Sequence, residues 1–307
     1  MKTIITGASG NYGRAAVEGL LAKGVPAEDL ILMSRSPAKL QTFAERGCVV
    51  RRGDFDDPAS LSAAFAGGER MLLISGTRVG KRVPQHRAAI EQAIAAGVGH
   101  IVYTSFVGLV EGNPAEACHD HTATEAILRD SGVQWTALRD QHYADSMVLG
   151  YAPNALKSGK WVMNTGQGRE ALVWREDCIA SAVGVLTTEG HGNQVYNITG
   201  PELLRLQDVA AMVAEATGRD IEYIDVDDEG MYALFDSLGV PRQPVDDLTV
   251  AGLAWNSDDM VSFGRAVREG YFAVISDDVE KLTGRRPRSV KQMIDAHAEV
   301  LREAARA

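Results

Sequence analysis

The chain has 307 residues, 45% hydrophobic and 23% charged, values ordinary for a globular protein with room for a large core. A formal net charge of −10, with no dense run of Lys or Arg, speaks against nucleic acid as a partner. No apolar stretch approaches the roughly 20 residues that span a bilayer, and Met1-Lys2 leads straight into an apolar strand, which leaves no room for a signal peptide. No membrane partner and a cytoplasmic location are expected. Cys48, Cys118 and Cys178 are far apart, so reduced, mostly buried thiols are expected rather than a disulfide framework or a CxxC metal site.

Up to about residue 140, short β-branched runs alternate with helical patterns. The spacing predicts strands at 3–6, 30–34, 49–52, 70–75, 100–105 and 134–138. Between them it predicts helices near 11–23, 38–45, 59–65, 85–96 and 122–131. Such alternation requires right-handed crossovers, so the expected fold class is α/β, a Rossmann-type doubly wound parallel sheet. Beyond Arg139 the rhythm breaks. Helical patterns at 176–186, 207–216 and 290–302, with isolated strands near 195–198 and 221–224, predict a smaller, mainly helical lobe. The stretch 239–257, with Pro241, Pro244 and several carboxylates, reads as an irregular connection.

Directly after the first strand and before the first helix stands Gly7-Ala8-Ser9-Gly10-Asn11-Tyr12-Gly13. The spacing G-x-x-G-x-x-G is weak by itself, but here it falls where a pyrophosphate meets the N-terminal end of a helix. Dinucleotide sites that prefer NAD end the second strand in an acid, some 20 residues past the loop. This strand ends in Ser34-Arg35-Ser36. Arg35 is placed to stack on adenine and pair with a 2′-phosphate, aided by Ser34, Ser36 or Lys39, which favours NADP; the alternative is a solvated surface charge. Asp54, followed by Phe55, is placed to accept from the adenine amine, or else caps the turn before Asp57-Pro58. Ser75, Gly76 and Thr77 follow the fourth strand at the carboxyl edge, where the cofactor ribose lies. Residues 1–140 are then expected to form the NADP-binding domain, with segments at about 171–200 returning to it. Residues 141–307 are expected to be mostly a substrate-side lobe.

Taken together, Thr6-Gly7-Ala8-Ser9-Gly10-Asn11-Tyr12-Gly13, Ser34-Arg35-Ser36-Pro37-Ala38-Lys39, Pro84-Gln85-His86-Arg87, Tyr103-Thr104-Ser105 and His121-Thr122-Ala123-Thr124-Glu125 resemble the NmrA-like, atypical short-chain reductases. Leu138-Arg139 before Tyr143 adds to the resemblance, which is greatest to the group of NADPH-dependent quinone oxidoreductase 2 and triphenylmethane reductase. It covers nearly the whole chain and thins between residues 239 and 273. It implies NADPH along the carboxyl edge, contacted by the loop, Arg35, Thr104, the segment Arg139, Asp140 and Gln141, and the turn Gly166-Gln167-Gly168-Arg169. The group resembled has Asn-Gly-Trp where this chain has Asp140-Gln141-His142, near the expected nicotinamide and substrate, so an altered pocket is expected.

Typical short-chain dehydrogenases donate a proton through Tyr-x-x-x-Lys. Counted back from Ser131-Gly132, that pair falls on Ala117 and His121. His121, with an ordinary pKa near 6.5, is the first candidate for proton donor or nicotinamide-ribose anchor, against a helix-start histidine bonded to backbone. Tyr143 and His142 lie where a side chain can reach a substrate oxygen, with core packing the competing account of Tyr143. Ser105 stands where related enzymes place a polarising serine, and Tyr103 is expected to point into the sheet. Cys118-His119-Asp120-His121 is not expected to hold a metal, because residues i and i+2 on a helix face different sides. The acidic run 225–229 reads as a solvated face rather than a calcium loop.

An acceptor whose reduced form is stabilised by conjugation scarcely needs a proton donor. The expected function is therefore NADPH-dependent hydride transfer to a quinone-like or other small aromatic acceptor, by a monomer or homodimer. The alternatives are a dinucleotide-binding redox sensor without turnover, and a reductase or isomerase of a phenolic carbonyl or benzylic ether.

Overall fold

Strands buried on both faces read as near-continuous apolar runs. β1 (Thr3–Ile5), β2 (Leu30–Ser34), β4 (Arg70–Leu73), β5 (His100–Phe106) and β6 (Gln134–Asp140) are mostly buried in this way, whereas the edge strand β3 (Val49–Arg52) is only half-buried and ends in two arginines. They are joined by α1 (Asn11–Ala22), a 3₁₀ turn Pro37–Leu40 with α2 (Gln41–Ala44), α3 (Pro58–Phe65), α4 (Arg82–Ala95) and α5 (Glu116–Asp130). The computed structural model describes residues 1–244 and 256–306. Among these, seven strands form a parallel sheet in the order β3-β2-β1-β4-β5-β6-β8, where β8 is Gln194–Ile198.

Alternate residues of each strand face opposite layers. Ile5, Leu32, Leu72, Val102 and Leu138 pack under α1 and α7 (Arg175–Thr187). Ile4, Ile31, Met71, Ile101 and Ala137 pack under α3, α4 and α5. The chain leaves the sheet after β6 and builds a second core. A π-helical turn Ser146–Tyr151 runs into α6 (Ala152–Ser158), followed by β7 (Lys160–Met163). After β8 come α8 (Leu206–Thr217), β9 (Glu222–Asp225), α9 (Asp228–Ser237), α10 (Ser257–Arg268), α11 (Asp278–Thr283), α12 (Val290–Ala296) and α13 (Ala298–Arg306). Trp161 of β7 is fully buried in this second core.

Several expectations need correction. The fifth helix begins at Glu116, because the chain stays extended only as far as Ala115, and its first turns therefore contain Ala117 and His121. The strand at 195–198 is not isolated: it pairs in parallel with β6, Thr136 opposite Gln194. The strand near 221–224 pairs with β7, Lys160 opposite Glu222. The helix expected over 290–302 starts in a Ser289/Gln292 capping box and breaks at His297. α6, α9, α10 and α11 were not anticipated, nor was β7. Of the stretch expected to be irregular, residues 245–255 lie outside the described residues, while Val240 is buried and Ser257 opens α10. Asp228 is no solvated charge: it is paired with Arg265 and Arg268 of α10. Among the described residues no helix is long and apolar enough to cross a membrane.

One buried carboxylate ties α5 to the sheet. Glu125 accepts from the Ser105 hydroxyl at 2.7 Å, from Arg129 at 2.6 Å, and from Arg139 through two bonds of 2.9 and 2.8 Å. Removing one partner of such a buried pair leaves the other charge unpaired. Glu125→Ala is expected to destabilise the fold by about 3–5 kcal/mol, read as a lower urea midpoint with an unchanged slope; a loss below about 1 kcal/mol would contradict this role.

Candidate functional site

Strand order reverses at β1, which is flanked by β2 and β4. An open parallel sheet forms its ligand crevice at such a point, outside the carboxyl ends of the strands. The turn from β1 into α1 occupies it. Gly7 has φ +58°, a left-handed conformation that favours glycine. At Gly13 a Cβ would lie 2.5 Å from the Gly7 carbonyl oxygen, so the helix can start this close only with glycine there.

The loop is tied on every side. The Ala8 amide donates to Met33 O at 3.0 Å and the Gly10 amide to Gly7 O at 2.9 Å. The Ser34 hydroxyl donates to Ser9 Oγ at 2.9 Å and accepts from the Ser36 amide at 3.0 Å. Arg14 donates to Ser9 O at 3.3 Å and to Lys39 O, and Tyr12 donates its hydroxyl to Cys178 O at 3.2 Å. What remains open is the first turn of α1, whose amides have no partner within the helix. Asn11, Tyr12 and Gly13 line a cavity of about 570 Å³.

That cavity runs across the sheet edge. At one end stand the exposed side chains of Arg35, Ser36 and Lys39, then Asp54 and Phe55 beyond β3. Asp54 accepts from the Asp56 amide at 3.1 Å, so the same residue shapes the turn and lines the cavity. Asp56 accepts from Gln85 at 2.6 Å and pairs with Arg78; the Gln85 hydrogen bond foremost holds its carboxyl below the usual range. In the middle lie Ser75, Gly76, Thr77 and Thr104, with the Ser75 amide donating to Thr104 Oγ1 at 2.9 Å. At the other end are Tyr143 and Arg175, whose guanidinium sits 5.4 Å from the centre of the Tyr143 ring.

The loop residues, Ser34, Arg35, Lys39, Asp54, Phe55, Ser75, Gly76, Thr77, Thr104 and Tyr143 thus come together on one cavity. Others expected there do not. Arg139 is turned into the ion pair with Glu125, and Ser105 bonds to the same carboxylate. Asp140 is buried behind Tyr143, and the Gln141 side chain donates to Phe272 O at 2.9 Å. The turn at 166–169 is held by Asp225 and Arg205 in the second core. His142 is 3.2 Å from Glu170 and packs on the Phe263 ring. Arg78, Arg82, Gln85 and Arg175 line the cavity without having been singled out. Pro84-Gln85-His86-Arg87 signalled that segment, but no local pattern marks Arg175, which five of the sheet's seven strands separate from the loop in sequence.

His121 belongs to a buried relay rather than to the cavity wall. The Gly76 amide donates to His86 Nε2 at 3.1 Å, so His86 Nδ1 carries the hydrogen that reaches Thr124 Oγ1 at 3.0 Å. Tyr103, fully buried, lies with its hydroxyl 2.7 Å from His121 Nδ1. Burial first, then Arg82, pushes His86 down to about 3 and His121 well below its ordinary value. Both rings are therefore neutral at physiological pH, which removes the titration that made His121 attractive as a proton donor. Their ring ¹⁵N resonances are expected to stay those of neutral imidazole from pH 8 to 5; a midpoint near 6.5 for His121 would contradict the relay.

A family profile described as NAD(P)H-binding matches residues 7–160. The chain is 38% identical over 237 residues to quinone oxidoreductase 2 of Escherichia coli K12, covering 77% of this chain and 82% of that protein. Among solved structures it is similar to the NADPH-dependent quinone oxidoreductase of Escherichia coli complexed with NADPH. There the TM-score is 0.86 and identity 32%, with 96% and 99% of the two chains covered. The triphenylmethane reductase of Citrobacter sp. complexed with NADP(H) gives a TM-score of 0.84 at 29% identity, with 96% and 99% covered.

Proposed function

The chain belongs to the NAD(P)H-binding, NmrA-like family, and on that premise we propose that it is an NADPH-dependent reductase transferring hydride to a quinone-like or other conjugated aromatic acceptor. The observation that carries the cofactor choice is the tip of β2. Arg35, Ser36 and Lys39 stand exposed on the cavity, and no acid closes the strand. Acids at that tip hold ribose hydroxyls, whereas a guanidinium beside an ammonium and a hydroxyl suits a 2′-phosphate.

The loop amides of Asn11, Tyr12 and Gly13 would hold the pyrophosphate, Phe55 and Asp54 would flank the adenine, and Ser75 and Thr104 would lie along the ribose. When bound, the cofactor supplies a hydride at the nicotinamide end, towards Tyr143 and Arg175. Outside the residues that line the cavity, an aromatic cluster is available to an acceptor. Phe106 and Phe263 are half-buried beside Phe272 and His142, at the junction of β5 with α10. Ala117 stands where a proton-donating tyrosine would, and His121 is neutral. A site without a strong acid suits an acceptor that delocalises the incoming electron pair, as a quinone or a cationic dye does. The relatives named for quinones and triphenylmethanes support that acceptor class.

The test is NADPH oxidation at 340 nm against benzoquinones, naphthoquinones and triphenylmethane dyes, with NADH in parallel. Turnover is expected with NADPH in preference to NADH, and tight NADPH binding with no turnover on any acceptor would overturn the reductase reading. Arg35→Ala is expected to raise KM for NADPH relative to that for NADH by a factor equivalent to about 1.5–3 kcal/mol, the size of a charge-assisted contact. An unchanged ratio would remove Arg35 from the 2′-phosphate site.

A further inference from the structure

At the carboxyl end of β6 sits a buried carboxyl with no cation paired to it among the described residues. Asp140 is 3% exposed; its Oδ2 accepts from the Tyr143 hydroxyl at 3.0 Å, the Cys178 thiol faces the carboxyl, and among the described residues its Oδ1 has no hydrogen-bond partner. On either side in the sheet its neighbours are Phe106 of β5 and Ile198 of β8. Facing it are Tyr12 from α1, Tyr143 from the segment after β6, and Cys178 from α7. Arg175 sits against the Tyr143 ring and acts on Tyr143, while Asp145 and Asp177 act on Cys178. Each of those two has its own partners: Asp145 accepts from the Arg175 amide at 2.9 Å, and Asp177 binds Arg285 and Arg288.

Tyr12 and Tyr143 also line the cofactor cavity. The cavity begins at Arg35 beyond β2, passes the loop at β1, and ends at Thr104 and Tyr143 beyond β5 and β6. A dinucleotide whose adenine end lies at Arg35 therefore brings its nicotinamide end towards Asp140. The two forms of that end differ by one charge, since the oxidised ring is cationic and the reduced ring neutral.

We propose that Asp140 is a positioning residue whose charge is linked to the oxidation state of the bound cofactor. Its carboxyl is protonated behind the neutral reduced ring and ionised behind the cationic oxidised ring, and the proton passes to solvent. The inference rests on the cofactor placement proposed above. Burial raises the Asp140 carboxyl to about 7, with Tyr143 and Cys178 partly opposing it, and burial raises Tyr12, Tyr143 and Cys178 well above their ordinary values. Within this cluster Asp140 is thus the group that changes charge between pH 5.5 and 8.5. The phosphates are common to both forms of the cofactor and cancel in a ratio of affinities. As pH rises and Asp140 ionises, the oxidised form gains on the reduced one.

The test is direct binding, not turnover. Dissociation constants for NADP⁺ and NADPH, measured by calorimetry from pH 5.5 to 8.5, are expected to show the ratio Kd(NADPH)/Kd(NADP⁺) rising about tenfold across the range. In Asp140→Asn, which keeps His142 and every other titratable group, the ratio is expected to be flat. For the unaltered protein at pH 7, calorimetry in buffers of different ionisation enthalpy should show NADP⁺ releasing more protons on binding than NADPH. A flat ratio in the unaltered protein, equal proton release by the two forms, or the same slope in Asp140→Asn would each overturn the proposal. Failure of either form to bind at any pH would instead refute the cofactor placement.

Discussion

The structure depends on one close approach, that of the α1 N-terminus to the carboxyl end of β1. Gly13 permits it, since a Cβ there would clash with the Gly7 carbonyl oxygen, 2.5 Å away. Once the helix starts that near the sheet, its first amides must face outward over the strand ends, at the point where strand order reverses. Everything else at the cavity stabilises that geometry: Ser34 holds Ser9, Met33 accepts from Ala8, and Arg14 straps the loop to Lys39. The loop is thus organised before any ligand arrives, so little ordering remains to oppose binding.

Charge is distributed along the cavity to match a molecule that is anionic at one end and uncharged or cationic at the other. Arg35 and Lys39 stay exposed where a phosphate can reach them. Beside the middle of the cavity, the imidazoles of His86 and His121 are buried and neutral, held by Gly76, Thr124 and Tyr103. Behind Tyr143 at the far end, the carboxyl of Asp140 is buried with no cation paired to it among the described residues. Burial disfavours charge in all three residues; it keeps the imidazoles from gaining a proton and raises the pH at which the carboxyl loses one.

The parallel sheet was legible because its signals are local. Apolar runs, the helix lengths between them and the glycine spacing all lie within tens of residues, and the exposed tip of β2 reads directly from Ser34-Arg35-Ser36. What escaped is what folding decides at a distance. Arg139 looked like a cofactor contact in sequence, yet Glu125 captures it, a pairing across α5 and β6 that no spacing reveals. His121 looked titratable because its burial is set by Tyr103 and Phe106 of β5, not by its neighbours in sequence. Arg175 reaches the cavity only because α7 returns to the sheet beside α1. The second core was less legible, since its strands β7 and β9 are four residues each and its helices α6 and α12 only seven.

Hydride transfer from this cavity is tested most directly by isotopic substitution at the reacting carbon of the cofactor. NADPH carrying deuterium at one or the other C4 position would be oxidised by the protein with a naphthoquinone as acceptor, under single-turnover conditions. A cavity that holds the cofactor in one orientation predicts that one of the two labels slows the oxidation by a primary isotope effect while the other leaves it unchanged. Equal rates with both labels and with unlabelled cofactor, or tight binding with no oxidation at all, would contradict it.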